Sequence, residues 1–282
     1  MNGFRKFKTK ITFSQLLRPF MANIRNKIIF LGTGGGGSMV SLQTYSTAGF
    51  WVNLEGVDLY FDPGPSAVYK IRQAGLNPDN LKGIFISHKH LDHTGDLNAL
   101  IEAVHYQFSN KGWDYKDYQV FCPPDVVPYI IEDHQKMPGK IVKVRSEQSY
   151  RLEHLKIMTT KKLLEKPCYH GNLEQYGYEV RGKQFSFAYV PETFYQSGLF
   201  KKLESDILVL NAMAPTNDYL EQLVKIVKEI SPQLVILRHW IKRAADYGIK
   251  KYAHDLGKAT GVKVVAVKDG EVFDFKTASI LP

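Results

Sequence analysis

Ser87-His88-Lys89-His90-Leu91-Asp92-His93 brings three imidazoles and one carboxylate into six consecutive positions, His88 to His93. Borderline divalent metals bind nitrogen and carboxylate-oxygen ligands of this kind. The stretch follows Gly83-Ile84-Phe85-Ile86, an apolar run that reads as a buried strand. It precedes Thr94-Gly95-Asp96-Leu97, which reads as the entry to a helix. On a loop at a strand end such side chains can all turn toward one point, whereas inside a regular strand or helix they would splay apart. The stretch is therefore read as a metal-ligand cluster.

The bulk numbers leave room for such a site in an ordinary soluble globular protein. The 282 residues are 44% apolar and 23% charged, enough for a sizeable core. No apolar run is long enough to span a bilayer. Only two cysteines are present, Cys122 and Cys168, neither in a Cys-x-x-Cys pair, so a disulfide framework is not expected and a reducing, cytoplasmic location fits. Net charge is +9, and no Asp or Glu precedes Glu55. Residues 1–27 carry Arg5, Lys6, Lys8, Lys10, Arg18, Arg25 and Lys27, while Arg18-Pro19 interrupts any secretory apolar core. The segment reads as a basic N-terminal extension. It could pack on the surface, pack on a second subunit of a homodimer, serve as a transit peptide, or form an approach surface for polyanions.

Working outward, residues 28–33 read as a first strand leading into a glycine loop. Residues 49–54 and 57–62 read as a hairpin about Glu55-Gly56. Helices are expected near 67–74, 96–108, 124–134, 217–230 and 247–258. Further strands are expected at 118–122, 141–144, 155–158, 176–181, 184–190, 206–210, 234–237, 262–267 and 272–275. Residues 28–282 thus read as one domain with sheets inside and helices outside.

The cluster alone does not close a site, because a catalytic metal needs ligands from several strand ends. Of the nine histidines, His170 and His239 also end segments at polar breaks and are the candidates. His105, His134 and His254 fall in helical patterns, and His154 precedes a strand without a visible turn, so all four read as surface or packing residues. Cys168 reads as a small buried residue rather than a thiolate ligand. Gly32, Gly34 and Gly37 satisfy Gly-x-Gly-x-x-Gly, but residues 38–47 show no apolar helical stripe. A dinucleotide reading is accordingly disfavoured.

With these residues in view, His88-Lys89-His90-Leu91-Asp92-His93 resembles the His-x-His-x-Asp-His signature of the metallo-β-lactamase superfamily. Phe30-Leu31-Gly32-Thr33-Gly34, Phe61-Asp62-Pro63-Gly64, His170, Tyr189 to Thr193, Asp206 to Leu210 and Leu237-Arg238-His239 follow in the family's order. The resemblance implies an α/β fold, a four-layer αββα sandwich with a two-metal site at one edge of its sheets. It implies that His88, His90 and His170 hold one ion and that Asp92, His93 and His239 hold the other. Glu192 stands where the family usually has a bridging aspartate. By the same resemblance, Asp62 orients a ligand by hydrogen bonding. Two divalent ions are implied, zinc first, with manganese or iron open.

Such a pair of ions can share a hydroxide, with Asp92 as both ligand and proton acceptor, and the reaction class is hydrolysis. Positive charge and the loop amides of Gly34, Gly35 and Gly36, a candidate anion nest, favour a phosphate-bearing substrate. The opening loop resembles the phosphodiesterase branch, which includes tRNA 3′-processing enzymes. A small phosphodiester or nucleotide is the leading substrate class, with nucleic acid open. The alternatives are a lactone, thioester or β-lactam hydrolase on the same site, and a catalytically silent nucleic-acid-binding member.

Overall fold

The computed structural model describes residues 25–107, 112–113, 116–163 and 173–281. His170 and Cys168, and all but the last residues of the basic N-terminal segment, lie outside them. Two large sheets face each other. One has eight strands in the order Ser279–Ile280, Val272–Asp274, Lys27–Phe30, Phe50–Leu54, Val57–Phe61, Leu81–Phe85, Gln119–Cys122 and Lys140–Lys143. The other has seven, in the order Lys263–Ala266, Leu234–Arg238, Ile207–Asn211, Ser186–Val190, Tyr178–Arg181, Leu155–Thr159 and Ser149–Leu152.

Three apolar interfaces stack these elements into the expected αββα order. The middle one joins the inner sheet faces through residues such as Phe50, Phe61, Phe85, Phe121, Tyr178, Phe187 and Tyr189. A second places the helices Ala67–Gln73 and Leu97–His105 on the eight-stranded sheet, through Ile71, Leu97, Leu100, Ile101 and Val104. The third places Asn217–Ile230, Lys242–Tyr247 and Ile249–Thr260 on the other sheet, through Leu223, Ile226, Val227, Tyr252 and Leu256. Each helix buries one stripe, as the three- and four-residue spacing requires.

Strand register builds the floor of the site. Phe50 lies opposite Phe61, Phe61 opposite Phe85 and Phe85 opposite Phe121. Their rings stack at centroid distances of 4.9, 4.7 and 4.6 Å. Contacts of this type add about 0.5–1.5 kcal/mol each beyond buried area. The chain leaves this aromatic row at Asp62 and at Ser87, so the polar residues that follow emerge at one edge. Both sheets have parallel strands here, and the functional loops follow their C-terminal ends.

Several expected elements differ for local reasons. A helix, Gly36–Leu42, begins inside the glycine loop where none was expected, and only Met39 of it is buried, so no stripe is visible in sequence. The next strand, Phe50–Leu54, runs antiparallel to Lys27–Phe30, which excludes the parallel unit a dinucleotide fingerprint needs. The helix expected over 124–134 is a 3₁₀ segment, Pro124–Tyr129, because Pro128 removes a helical donor and restricts Val127 before it. The helix expected at 247–258 is Ile249–Thr260, and an unexpected short helix, Lys242–Tyr247, precedes it across Gly248, whose φ is 98°. An unexpected strand, Ser149–Leu152, pairs with Leu155–Thr159 across Glu153-His154. Glu153 supplies the positive φ of 52° without a glycine to announce the turn. Among the described residues no helix is long and apolar enough to cross a membrane.

Candidate metal centre

The ends of five strands meet at one edge. Asp62 follows Val57–Phe61, His88 to His93 follow Leu81–Phe85, and Glu192 follows Ser186–Val190. Asn211 ends Ile207–Asn211, and His239 follows Leu234–Arg238. Two groups of ligand-type atoms form there, Asp92, His93, Glu192 and His239 in one and His88, His90 and Glu192 in the other, the atoms of each lying within 4.8 Å of one another. Glu192 belongs to both. Of the ligand set implied by the resemblance, six members converge in this way; His170 lies outside the described residues.

The hydrogen bonds around the rings decide which nitrogen faces inward. Asp62, fully enclosed, accepts from the Ser87 amide at 2.7 Å, the Ser87 hydroxyl at 2.8 Å, His93 Nδ1 at 2.8 Å and the Tyr189 hydroxyl at 2.5 Å. Because the Ser87 hydroxyl donates to Asp62, it accepts from His88 Nδ1 at 3.0 Å. His239 Nδ1 donates to the Ala212 carbonyl at 3.3 Å. Three imidazoles thus have their outer N–H occupied, which leaves the inner Nε2 as a lone pair.

Those lone pairs point at other acceptors. His88 Nε2 is 3.2 Å and His93 Nε2 3.3 Å from Glu192 Oε1, and His93 Nε2 is 3.1 Å from Asp92 Oδ2. His239 Nε2 is 3.1 Å from Asp92 Oδ2 and 3.5 Å from Glu192 Oε2. His88 Nε2 is also 2.9 Å from His90 Nδ1. His93 Nε2 is buried with no hydrogen bond of acceptable geometry. Nitrogen and oxygen lone pairs turned on one another repel unless a cation sits among them. The donor set is therefore the one a divalent metal fits.

The electrostatics agree. Burial pushes against the charged form of Glu192, yet His239, His93 and His88 hold its carboxyl well below the usual range. Asp92 behaves alike, with burial outweighed by His93 and His239. Burial also opposes charge on His93, but Asp92, Glu192 and Asp62 hold its pKa well above the ordinary value. His90 is pushed down to about 4 by burial and by His88. A proton on His93 relieves one set of these contacts; a cation would relieve them all.

The glycine loop serves the ligands. The Gly36 amide donates to Asp92 Oδ2 at 2.6 Å, that of Gly34 to the Ser46 carbonyl at 2.8 Å, and that of Gly35 to the Trp240 carbonyl at 3.4 Å. The amides expected to form an anion nest are engaged with internal acceptors instead. A Cβ on Gly35 would lie 2.0 Å from the His239 ring, so only glycine lets that ring reach its place. Asp62 and His239 themselves have φ of 50° and 67°, strained values found at sites that demand them.

Several residues that shape the site had no signal in the sequence. Ser87, Tyr189, Asn211 and Arg238 each act through hydrogen bonds to partners far away in the chain. Asp269 accepts from the amides of Thr33 and Ser46 and so ties down the loop. Trp240 is buried and donates Nε1 to the Val267 carbonyl at 2.7 Å, a packing role. His105 packs on Tyr118, and His154 sits 3.6 Å from Glu55 at a hairpin turn, both away from the ligand groups.

Comparison with known proteins gives this geometry a context. A family model described as a beta-lactamase superfamily domain matches residues 58–240. An uncharacterized protein of Methanocaldococcus jannaschii is 36% identical over 81 residues, covering 29% of this chain and 30% of that protein. A ribonuclease Z of Pyrococcus abyssi is 31% identical over 105 residues, covering 37% of this chain and 31% of that protein. The matched segments are thus under a third of these relatives' own length. Among solved structures, the metallo-beta-lactamase fold protein YhfI of Bacillus subtilis superposes with a TM-score of 0.71 at 17% identity, over 88% of this chain and 98% of that one. The human short-form tRNase Z gives 0.63 at 15% identity, over 88% and 99%. At such identities the structural likeness is one of fold.

Proposed function

The chain belongs to the beta-lactamase superfamily, and from that premise we propose that it is a metal-dependent hydrolase of phosphodiesters in a nucleotide or nucleic acid. The observation that carries the reading is the pair of ligand groups sharing Glu192, with three histidine Nε2 lone pairs aimed at carboxylate oxygens. Divalent ions held there, zinc foremost, would lower the pKa of water toward neutrality and stabilise the charge that builds on a scissile group.

The chain's own residues have separable tasks. Asp62 and Ser87 hold His93 and His88 in the tautomer that presents Nε2. Asp92, pinned by the Gly36 amide, offers a charged oxygen at the centre and would accept a proton from water once ions are bound there. Glu192 is partly exposed, with a side-chain accessibility of 20%, so the groups open to solvent on the side where substrate would enter. A net charge of +9 favours a polyanionic substrate, and residues 1–27 would add to that field. The ribonuclease Z and tRNase Z names of the relatives support the same class.

The test is turnover of bis-p-nitrophenyl phosphate and of a short RNA by protein loaded with zinc or manganese. Asp92→Ala should abolish it while the fold stands. Hydrolysis of a lactone or thioester with no phosphodiester turnover under any divalent metal overturns the substrate assignment. Uptake of no metal overturns the enzyme.

A further inference from the structure

Arg238 is 2% exposed, yet among the described residues no carboxylate lies within ion-pair distance of it. A buried charge without a direct counter-ion is costly and calls for a reason. Its guanidinium donates to the Gly32 carbonyl at 3.0 Å and to Asn211 Oδ1 at 3.0 Å, and lies 5.3 Å from the Phe50 ring centroid. A third, longer contact of 3.5 Å reaches the Tyr189 hydroxyl.

The consequence falls on Asn211. A guanidinium has only donors, so the amide of Asn211 must turn its oxygen toward Arg238. Its Nδ2 then faces the other way, donating to Glu192 Oε2 at 2.9 Å and to the Tyr189 hydroxyl at 3.1 Å. The Tyr189 hydroxyl in turn donates to Asp62, which holds His93. With Oε2 anchored, Glu192 Oε1 is left between His88 Nε2 and His93 Nε2, at 3.2 and 3.3 Å, one from each ligand group.

We propose that Arg238 and Asn211 are positioning residues that lock Glu192 across both ligand groups, so that this glutamate serves a two-ion site. The inference rests on the metal-dependent reading above and adds the device that sets the shared ligand. The longer glutamate side chain has one more rotatable bond to hold than an aspartate. The Asn211 donor removes that freedom, and Arg238 prevents the amide from flipping.

The experiment measures bound ions per chain after zinc loading, together with the stepwise zinc affinities. The full chain is compared with Asn211→Asp, Asn211→Leu, Arg238→Met and Glu192→Gln. Manganese-loaded samples report ion–ion coupling by electron paramagnetic resonance. Asn211→Asp preserves shape and pairs with Arg238, so it should fold, but it turns an acceptor toward Glu192. The expected result is two ions and a coupled spectrum in the wild type. The Asn211 and Arg238 variants should bind the second ion about 10–100-fold more weakly and lose the coupling. Arg238→Lys should recover only part of the affinity, since it keeps charge but not the fork. A wild type holding two ions, with Asn211→Asp unchanged in the second affinity and in coupling, overturns the relay and leaves the metal reading intact. A wild type holding one ion overturns the shared-ligand role. A wild type holding none overturns the metal reading itself.

Discussion

Replacing Asp62 with asparagine should separate the support of the site from its ligands. The carboxylate accepts four hydrogen bonds, three of them converging on Oδ2 from Ser87, His93 and Tyr189, with the Ser87 amide on Oδ1. Asparagine can place its oxygen where three donors meet, but its NH₂ then confronts the Ser87 amide. The Ser87 N–H and the asparagine NH₂ are then both left without an acceptor, at about 1–3 kcal/mol for each unsatisfied group. The bond from His93 loses its charge assistance, roughly half its strength. A loss near 2 kcal/mol lowers Tm by roughly 4–8 °C in a chain of this size. The His93 ring is then held less firmly in the tautomer that presents Nε2, and zinc affinity should fall about 10–100-fold, or ~1.4–2.7 kcal/mol. Zinc titration against a chelator of known affinity measures the second effect, and thermal unfolding of metal-free protein measures the first. A folded variant whose zinc affinity stays within about threefold of wild type would refute the claim that Asp62 works through His93.

Three other outcomes can be checked on the same preparations. In metal-free protein, the depressed acids Asp62, Asp92 and Glu192 contribute stability above about pH 4 that is lost as pH falls through their folded values. His93, whose pKa is raised, contributes stability below about pH 6.5 that is lost as pH rises through its folded value. Tm of the metal-free chain should therefore fall as pH rises above about 6.5 toward and through the raised His93 value, while zinc-loaded protein should not show that drop; parallel curves would count against a cation replacing the proton. Gly35→Ala forces a methyl into the His239 ring, 2.0 Å away, and should remove zinc from the Asp92–His93–His239 group, as read by metal analysis of folded protein. Glu55→Ala strips the carboxylate that accepts from the amides of Lys183, Gln184 and Phe185, joining the two sheets at hairpin turns. It should cost about 1–3 kcal/mol in urea unfolding and leave zinc stoichiometry unchanged.

The parts of this protein that obey short-range rules were open to reading in the chain. Leu97–His105 and Asn217–Ile230 are amphipathic, with one buried face each, and were expected within a few residues. The 87–93 loop names its own chemistry because four ligand-type side chains cannot crowd a strand end for packing reasons alone. Elements that broke their own local pattern were hidden. The Gly36–Leu42 helix buries one residue, and the turn at Glu153 borrows its positive φ from a glutamate.

His88, His90, Asp92 and His93 were marked as ligands by their spacing, since neighbours on one loop share a destination. That Glu192 and His239 join them was carried by resemblance and became geometry only when the two sheets closed, because strand ends distant in sequence meet only across packed layers. The polarity of each hydrogen bond lay further from view. Whether Asn211 shows Glu192 an oxygen or an N–H depends on Arg238 behind it, 27 residues along the chain, and buried groups acquire partners only in the folded protein. Sequence chose the regular elements and the clustered ligand-type side chains of the 88–93 loop; tertiary packing chose which lone pairs face one another, since that is set by angles and ångströms no linear spacing encodes.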